Sequence, residues 1–174
     1  FGTATAEIPA AWYPFENGAQ DNTGNGNDGT ISGGVTFPAG KLGAHAAQFD
    51  GVSNTYVSIP RTVSEEFTVA FWLKTTATGG SGQWWSGEGL VDGEVPNAAD
   101  DFGISLVGNK AAFGVGNPDT TISTSAAVND GLWHHVTATR DSVSGAMNLY
   151  LDGMLQATAT GPQGAKTAPP VLRI

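Results

Sequence analysis

The sequence predicts an all-β protein, an antiparallel two-sheet β-sandwich of the jelly-roll type. Short runs of alternating apolar and polar residues recur along the chain, turn residues separate them, and no window of a dozen residues has helical periodicity. The 25 glycines and 9 prolines suit short strands and tight turns. A chain of 174 residues with 40% hydrophobic content can bury one core, so we predict a single domain over residues 1–174.

The clearest group of strands lies near the carboxyl end of the chain. Trp133–Arg140, Met147–Leu151 and Met154–Thr158 alternate in polarity, and Asp152-Gly153 separates the last two runs. An Asp-Gly pair between apolar residues favours a hairpin, because a type I′ turn needs two positive φ angles. These runs therefore predict an antiparallel meander.

Further runs predict the remaining strands. Phe67–Lys74 is the most regular of them: Phe67 and Phe71 face the core, and Trp72 lies on the opposite face, which is an outer or ligand-facing surface. Residues 79–99 are predicted to be rich in loops. The other predicted strands are Ala10–Glu16, Val35–Pro38, Ala46–Asp50, Tyr56–Ile59, Phe102–Gly108, Lys110–Gly116, Thr120–Ser125 and a final one that begins near Val171.

Charge and composition exclude several classes of function. The net charge is −9 with only seven Lys and Arg, so the chain lacks a basic patch for nucleic acid or for an anionic membrane surface. No apolar run is long enough for membrane insertion. The absence of cysteine excludes thiol catalysis, disulfides and cysteine-bound zinc.

A loop rich in Asn, Asp and Gly follows residue 17. Asp21, Asn25 and Asp28 carry short oxygen-bearing side chains that can converge on one point, as calcium requires. The spacing differs from that of an EF-hand, and a plain Asx-turn loop has the same composition. Both interpretations stay open on the residues alone.

Six motifs occur in an order that resembles LamG-like jelly-roll domains of the concanavalin A-like lectin/glucanase superfamily. They are Ala11–Glu16, Asp21-Asn22-Thr23-Gly24, Gln48-Phe49-Asp50-Gly51, Phe67–Lys74, Trp133-His134-His135-Val136 and Leu149–Gly153. The resemblance implies the sandwich fold and a carbohydrate-binding or adhesive module of a secreted or cell-surface bacterial protein. It also implies a structural calcium held by Asp21, by groups around Asn25–Asp28 and by Asp50.

The same resemblance places a further calcium ligand on a final strand, in a segment that this sequence does not reach. We therefore expect a C-terminal remainder that supplies the missing strand, and a parent protein with neighbouring domains. The first residue is Phe1, so we also expect that residues upstream were removed.

Two groups of residues invite a catalytic interpretation. Glu88, Asp92 and Glu94 could form the carboxylate pair of a glycosidase, but two glycines interrupt them and the glucanase pattern Glu-x-Asp-x-x-Glu is absent. A solvated acidic loop, or an auxiliary cation or ligand site, is the favoured interpretation. His134 and His135 are adjacent on a strand and point to opposite faces, so they cannot chelate one ion and are predicted to be structural.

The remaining candidate is a sugar site in the glycine-rich loop. Trp84 and Trp85 could stack on sugar rings, although one of them could instead plug an end of the sandwich. The polar groups expected near them are Asp92, Glu94, Asp100, Asp101, Asn117 and Asp119.

These observations predict a non-catalytic domain that binds a glycan or polysaccharide. A structural spacer or protein-interaction domain, in which the tryptophans contact a neighbouring domain, is the first alternative. A glycan-cleaving enzyme is the second and less favoured alternative.

Overall fold

The computed structural model describes residues 8–52, 54–116 and 118–174, and nearly all of its regular structure is β-strand. The chain divides into two compact units, Phe1–Thr62 and Val63–Ile174. Among the described residues, no helix is long and apolar enough to cross a bilayer.

The first unit contains one short antiparallel ladder, between β1 (Thr30–Ser32) and β2 (Tyr56–Pro60). β2 confirms the strand predicted at Tyr56–Ile59. The predicted strand at Ala10–Glu16 was wrong: Phe15 has a φ of 56°, which takes the backbone out of the extended region directly after Pro14.

Two more predictions in the first unit were wrong. Val35–Pro38 and Ala46–Asp50 form no ladder, and only isolated bridges such as the one between Thr36 and Gln48 join these segments. β1 was missed, because it has three residues and follows a loop dense in Asn and Gly.

The second unit contains the longer strands. They are β3 (Phe67–Leu73), β4 (Glu88–Asp92), β5 (Phe102–Val107), β6 (Lys110–Val115), β7 (Thr120–Ser123), β8 (His134–Arg140), β9 (Ala146–Leu151), β10 (Met154–Thr160) and β11 (Val171–Arg173). A 3₁₀ turn at Trp84–Ser86 precedes β4.

These strands form two antiparallel sheets. One has the order β11-β4-β5-β6-β7 within this unit, and the other has the order β10-β9-β8-β3. The sheets pack face to face: the ring of Phe67 on β3 lies 4.6 Å from that of Phe102 on β5 and 6.3 Å from that of Phe113 on β6. The predicted all-β sandwich is confirmed.

The predicted meander is confirmed as β8, β9 and β10. Asp152 and Gly153 have φ angles of 52° and 80°, as a type I′ turn requires. Residues 79–99, predicted to be rich in loops, also contain β4, for which no strand was predicted. Gly87 and Gly89 interrupt the alternation that marks a strand, and for this reason β4 was missed.

Candidate functional site

A cavity of about 330 Å³ opens on the second unit. Four segments form it: the 3₁₀ turn before β4, the loop after β4, the residue that precedes β5, and the turn before β7. Its lining residues are Trp84, Trp85, Glu94, Val95, Pro96, Asn97, Ala98, Asp101 and Asp119. Five of them were predicted from the sequence as ligand-binding: Trp84, Trp85, Glu94, Asp101 and Asp119.

The cavity lies on the face of its sheet that points away from the four-stranded sheet. Phe102 and Phe113 turn inward to meet Phe67, so their strand neighbours Gly103 and Gly114 point outward. Gly103 and Gly114 are directly paired across β5 and β6. This glycine pair leaves a shallow gap on the outer face of the sheet.

The indole of Trp84 fills that gap. A Cβ on Gly103 would lie 2.7 Å from Trp84 Cζ3, and one on Gly114 would collide with Trp84 Cδ1. The Trp84 carbonyl accepts a 2.6 Å hydrogen bond from Ser105 Oγ, and its amide donates to Thr121 Oγ1 at 3.3 Å. Trp84 is only 2% exposed, so it forms the base of the cavity.

Trp85 has the opposite placement. Its side chain is 50% exposed, and it lines the cavity beside the buried Trp84. Adjacent residues of the same type thus have different placements: Trp84 packs on the sheet, and Trp85 is half exposed at the cavity.

The charged groups of the cavity are carboxylates. Asp101 is 3% exposed, and its Oδ2 accepts a 3.0 Å hydrogen bond from the amide of Val95, which fixes the loop after β4. Asp101 Oδ1 is buried and has no hydrogen-bond partner among the described residues. Asp119 is exposed and Glu94 is half-buried.

The pKa values of two of these carboxyls are raised. Burial raises the pKa of Glu94, and the carboxylates of Asp92, Asp101 and Asp119 raise it further. Burial also raises the pKa of Asp101, while the hydrogen bond from the amide of Val95 opposes that shift. Each shift has the sign expected where negative groups are crowded and partly removed from water.

A buried lysine holds two sides of the cavity together. Lys166 Nζ donates to the carbonyl oxygens of Ala99 at 2.9 Å and Gly116 at 2.7 Å. Next to it, the Thr167 hydroxyl hydrogen-bonds the carboxylate of Asp100, and the Ala168 amide donates to the Asp100 carbonyl at 3.1 Å. Sequence reasoning missed Lys166, because a single lysine in a segment with no strand pattern gives no indication of its contacts.

Three residues predicted near the sugar are placed elsewhere or are not described. Asp92 is not among the lining residues, and its Oδ1 accepts a 3.0 Å hydrogen bond from the amide of Glu94. Asp100 binds Thr167. Asn117 lies outside the described residues.

The candidate catalytic groups do not come together at the cavity. Of Glu88, Asp92 and Glu94, only Glu94 lines it. His134 lies between Asp152, 2.8 Å from its Nδ1, and Asp130, 3.1 Å from its Nε2. His135 packs its ring 5.1 Å from that of Trp72. The two histidines thus make separate structural contacts.

The predicted calcium ligand Asp21 is fully engaged in hydrogen bonds. Its Oδ1 accepts from the Trp12 amide at 3.0 Å and from the Thr23 amide and hydroxyl at 3.0 and 2.7 Å, and its Oδ2 accepts from the Asn27 amide at 3.2 Å. Although burial opposes the shift, these hydrogen bonds lower the pKa of Asp21.

The other predicted calcium ligands are also held by hydrogen bonds. Asp28 Oδ1 accepts from the amide of Asp21 at 2.8 Å, Asn25 Nδ2 donates to the Ala10 carbonyl at 3.1 Å, and Asp50 Oδ1 accepts from Val52 at 3.0 Å. The described residues contain no group of three or more His, Asp or Glu placed to hold a metal. These side chains thus have hydrogen-bond partners within the protein, and calcium binding stays a prediction.

The sandwich architecture is that of a lectin-like jelly-roll domain. The chain belongs to the concanavalin A-like lectin/glucanases superfamily, whose Laminin_G_3 family model matches residues 49–174.

Sequence relatives are longer proteins. Human neuronal pentraxin-1 is 30% identical over 116 residues, which are 66% of this chain and 24% of that protein. The rat sushi, von Willebrand factor type A, EGF and pentraxin domain-containing protein 1 is 40% identical over 53 residues, 30% of this chain and 2% of that protein. The chain therefore spans a quarter or less of these relatives.

Solved structures share the fold. One is domain 4 of AbnA, an extracellular arabinanase from Geobacillus stearothermophilus, in complex with arabinotriose. Its TM-score is 0.72 at 24% sequence identity, and the match covers 95% of this chain and 82% of the arabinanase-domain chain. The receptor-binding domain of botulinum neurotoxin type G has a TM-score of 0.67 at 15% identity, with 91% of this chain and 41% of its own covered.

Proposed function

We propose that this domain binds a saccharide through the cavity and does not cleave it. The observation that carries the proposal is the half-exposed indole of Trp85 beside the carboxylates of Glu94 and Asp119. An aromatic ring stacks on the apolar face of a sugar, and carboxylates accept hydrogen bonds from its hydroxyls. A preformed cavity of this size suits one or two sugar units.

The cavity is also preorganised. Trp84 is locked on the sheet by Ser105 and Thr121, and Lys166 ties the loop after β4 to the turn before β7. Rigid walls reduce the entropy lost on binding, which favours recognition by a fixed surface.

The acids whose sequence pattern suggested a glycosidase are not paired at the cavity. A glycosidase needs two carboxyl groups on either side of one bond. Asp92 points its carboxylate at the amide of Glu94, and Glu88 does not line the cavity. The alternative of a glycan-cleaving enzyme would be supported by hydrolysis of a saccharide at a rate that falls in Glu94→Gln.

The setting that we propose is a carbohydrate-binding or adhesion module of a secreted or cell-surface bacterial protein. The arabinotriose complex of the arabinanase domain supports a saccharide as the class of ligand for this fold. Neighbouring domains of the parent protein are proposed as further partners.

Trp85→Ala tests the proposal, with Trp12→Ala as the matched control. Trp12 is 54% exposed, close to the 50% of Trp85, and does not line the cavity. Titration of tryptophan fluorescence with a glycan panel should detect one sugar class. We expect Trp85→Ala to weaken that binding by about tenfold or more, equivalent to about 1.4 kcal/mol, and Trp12→Ala to leave it unchanged.

Two results would contradict the proposal. Equal loss in both variants would show that the fluorescence change does not come from the cavity. Failure of every glycan to bind, together with capture of a neighbouring domain of the parent protein through Trp85, would instead establish a protein-interaction or spacer domain.

A further inference from the structure

We propose that the cavity selects saccharides by charge, preferring a sugar that carries a free ammonium group and disfavouring one that carries a carboxylate. The inference rests on the proposed saccharide-binding function and names the class of sugar. It comes from the charges of the lining residues, from one buried oxygen that has no partner among the described residues, and from the half-exposed indole.

The ionisable residues that line the cavity all have the same sign. They are Glu94, Asp101 and Asp119, and the lining set contains no Lys, Arg or His. Two further carboxylates, Asp92 and Asp100, act on these groups electrostatically. A ligand in the cavity therefore meets a negative potential, which attracts an ammonium group and repels a carboxylate.

Asp101 is the buried member of the lining acids. Its side chain is 3% exposed, and its Oδ1 has no hydrogen-bond partner among the described residues. A Cβ on Gly116 would collide with that oxygen, so Asp101 Oδ1 lies directly against the Gly116 backbone. A buried carboxylate with an unpaired oxygen is costly, and a cation in the adjoining cavity reduces the cost through the low-dielectric surroundings.

Lys166 interacts electrostatically with Asp100 and Asp101. Burial lowers its pKa, while the carboxylates of Asp100 and Asp101 oppose that shift. Its Nζ donates to the backbone carbonyls of Ala99 and Gly116. Lys166 is 2% exposed and does not line the cavity; its charge offsets part of the negative potential of Asp100 and Asp101, and the three lining acids still leave the cavity negative.

Trp85 adds a second attraction for an amino sugar. Its ring is half exposed, and an ammonium group within about 6 Å of an indole centroid is attracted to the face of the ring. The sugar ring itself can stack on the same indole. An amino sugar thus satisfies both the aromatic wall and the carboxylates.

A metal ion is a weaker match than an organic cation. Calcium takes six to eight oxygens, and the described residues hold no trio of His, Asp or Glu arranged around one point. An ammonium group needs only a few acceptors and a negative field, which the cavity supplies.

The test compares four matched β-1,4-linked oligosaccharides of equal length by isothermal titration calorimetry. Their units are glucosamine, N-acetylglucosamine, glucose and glucuronic acid. At low salt we expect the glucosamine oligomer to bind about tenfold tighter than the glucose oligomer, and the glucuronic acid oligomer to bind weakest. The preference should shrink at high salt, because screening weakens charge contacts.

Variants locate the preference. Glu94→Gln and Asp119→Asn should each lower the affinity ratio of glucosamine to glucose oligomers by about twofold or more, and Asp101→Asn should act in the same direction. Glu88→Gln is the control, since Glu88 is an exposed acid that does not line the cavity. If Asp101→Asn does not fold, the two variants at the more accessible acids still decide the question.

Each outcome has a defined meaning. Equal affinity for the glucosamine and glucose oligomers, lost in Trp85→Ala, would overturn the charge selection and leave the saccharide function in place. Failure of all four oligomers and of the wider glycan panel would overturn both proposals. Binding of calcium or of a lysine-rich peptide at the cavity, without saccharide binding, would also overturn the amino-sugar assignment.

Discussion

Trp84 shows how a single residue positions the candidate site. Its indole lies over Gly103 and Gly114, so the two glycines act as a pair that makes room on the sheet. Neither residue has a positive φ among the described backbone angles, so their small size, and not their conformational freedom, matters here. The position of Trp85 at the cavity depends on this packing.

Gly114→Ala tests the packing of Trp84. The new Cβ would collide with Trp84 Cδ1, and the crowding should reduce the free energy of unfolding by about 1–3 kcal/mol. Saccharide affinity should fall too, because displacement of Trp84 moves Trp85. Urea unfolding measures the first effect, and fluorescence titration measures the second.

Gly18→Ala is the control for this substitution. A Cβ on Gly18 would meet only the flexible end of Gln20, so the stability should change little. If Gly114→Ala destabilised the protein as little as Gly18→Ala, the outer face would tolerate an added methyl group, against the packing described for Trp84.

At the scale of elements, the hairpin between β9 and β10 is joined to β8 by Asp152. Its Oδ1 accepts a 2.8 Å hydrogen bond from the His135 amide, and its Oδ2 lies 2.8 Å from His134 Nδ1. The turn residue that the hairpin needs for its backbone conformation therefore also binds the start of the neighbouring strand. Asp130 completes the contact at His134 Nε2.

This contact predicts a pH dependence of stability. The hydrogen bond to Asp152 and then that to Asp130 raise the pKa of His134, while burial opposes the shift. Folding thus favours protonated His134, so its contribution is complete below the ordinary histidine pKa of about 6.5 and is lost as the pH rises through the raised folded value. At acid pH the contribution of His134 is lost again, because the carboxylates of Asp130 and Asp152, whose pKa values are lowered, become protonated there.

Urea unfolding of the wild type and His134→Gln at several pH values between 5 and 9 measures this contribution. We expect the difference between the two proteins to shrink by about 0.5 kcal/mol from pH 5.5 to pH 9, a small value because the two carboxylates are about half exposed. A difference that stays constant over this range would show that His134 does not titrate in the folded protein within it.

At the scale of the whole molecule, the open question is what holds the Asp21 loop. Asp21 accepts four hydrogen bonds from protein groups, whereas the resemblance to LamG-like domains implies calcium. Any metal that binds only the folded protein raises the melting temperature by mass action. Melting in calcium and in EDTA therefore separates the two ways of holding the loop.

We expect Asp21→Ala to lower the melting temperature in EDTA, because its four hydrogen bonds need no metal. Glu65→Ala serves as a control at an exposed acid outside this loop. A wild-type melting temperature that rises with calcium, without a rise in Asp21→Ala, would establish the predicted metal site. An unchanged stability of Asp21→Ala in EDTA would contradict the role of the hydrogen bonds.

The sequence alone determined the class of fold and most strands of the second unit. The strands of the β8–β10 meander, β3, β5, β6 and β7 were predicted because each has the period-2 alternation of a half-buried strand, with turn residues at its ends. Those signals are local, so they can be recognised without knowing which strands pair with each other. The first unit was predicted less well, since its Pro, Gly and Asn residues leave few extended runs.

The candidate site was determined only in part by sequence. Trp85, Glu94, Asp101 and Asp119 could be nominated, because aromatic rings stack on sugars and carboxylates accept hydrogen bonds from sugar hydroxyls. Only the tertiary structure decided that Trp84 is buried, that Asp92 turns away and that Lys166 joins two walls of the cavity. These facts depend on contacts between residues far apart in the chain, and sequence spacing carries no record of such contacts.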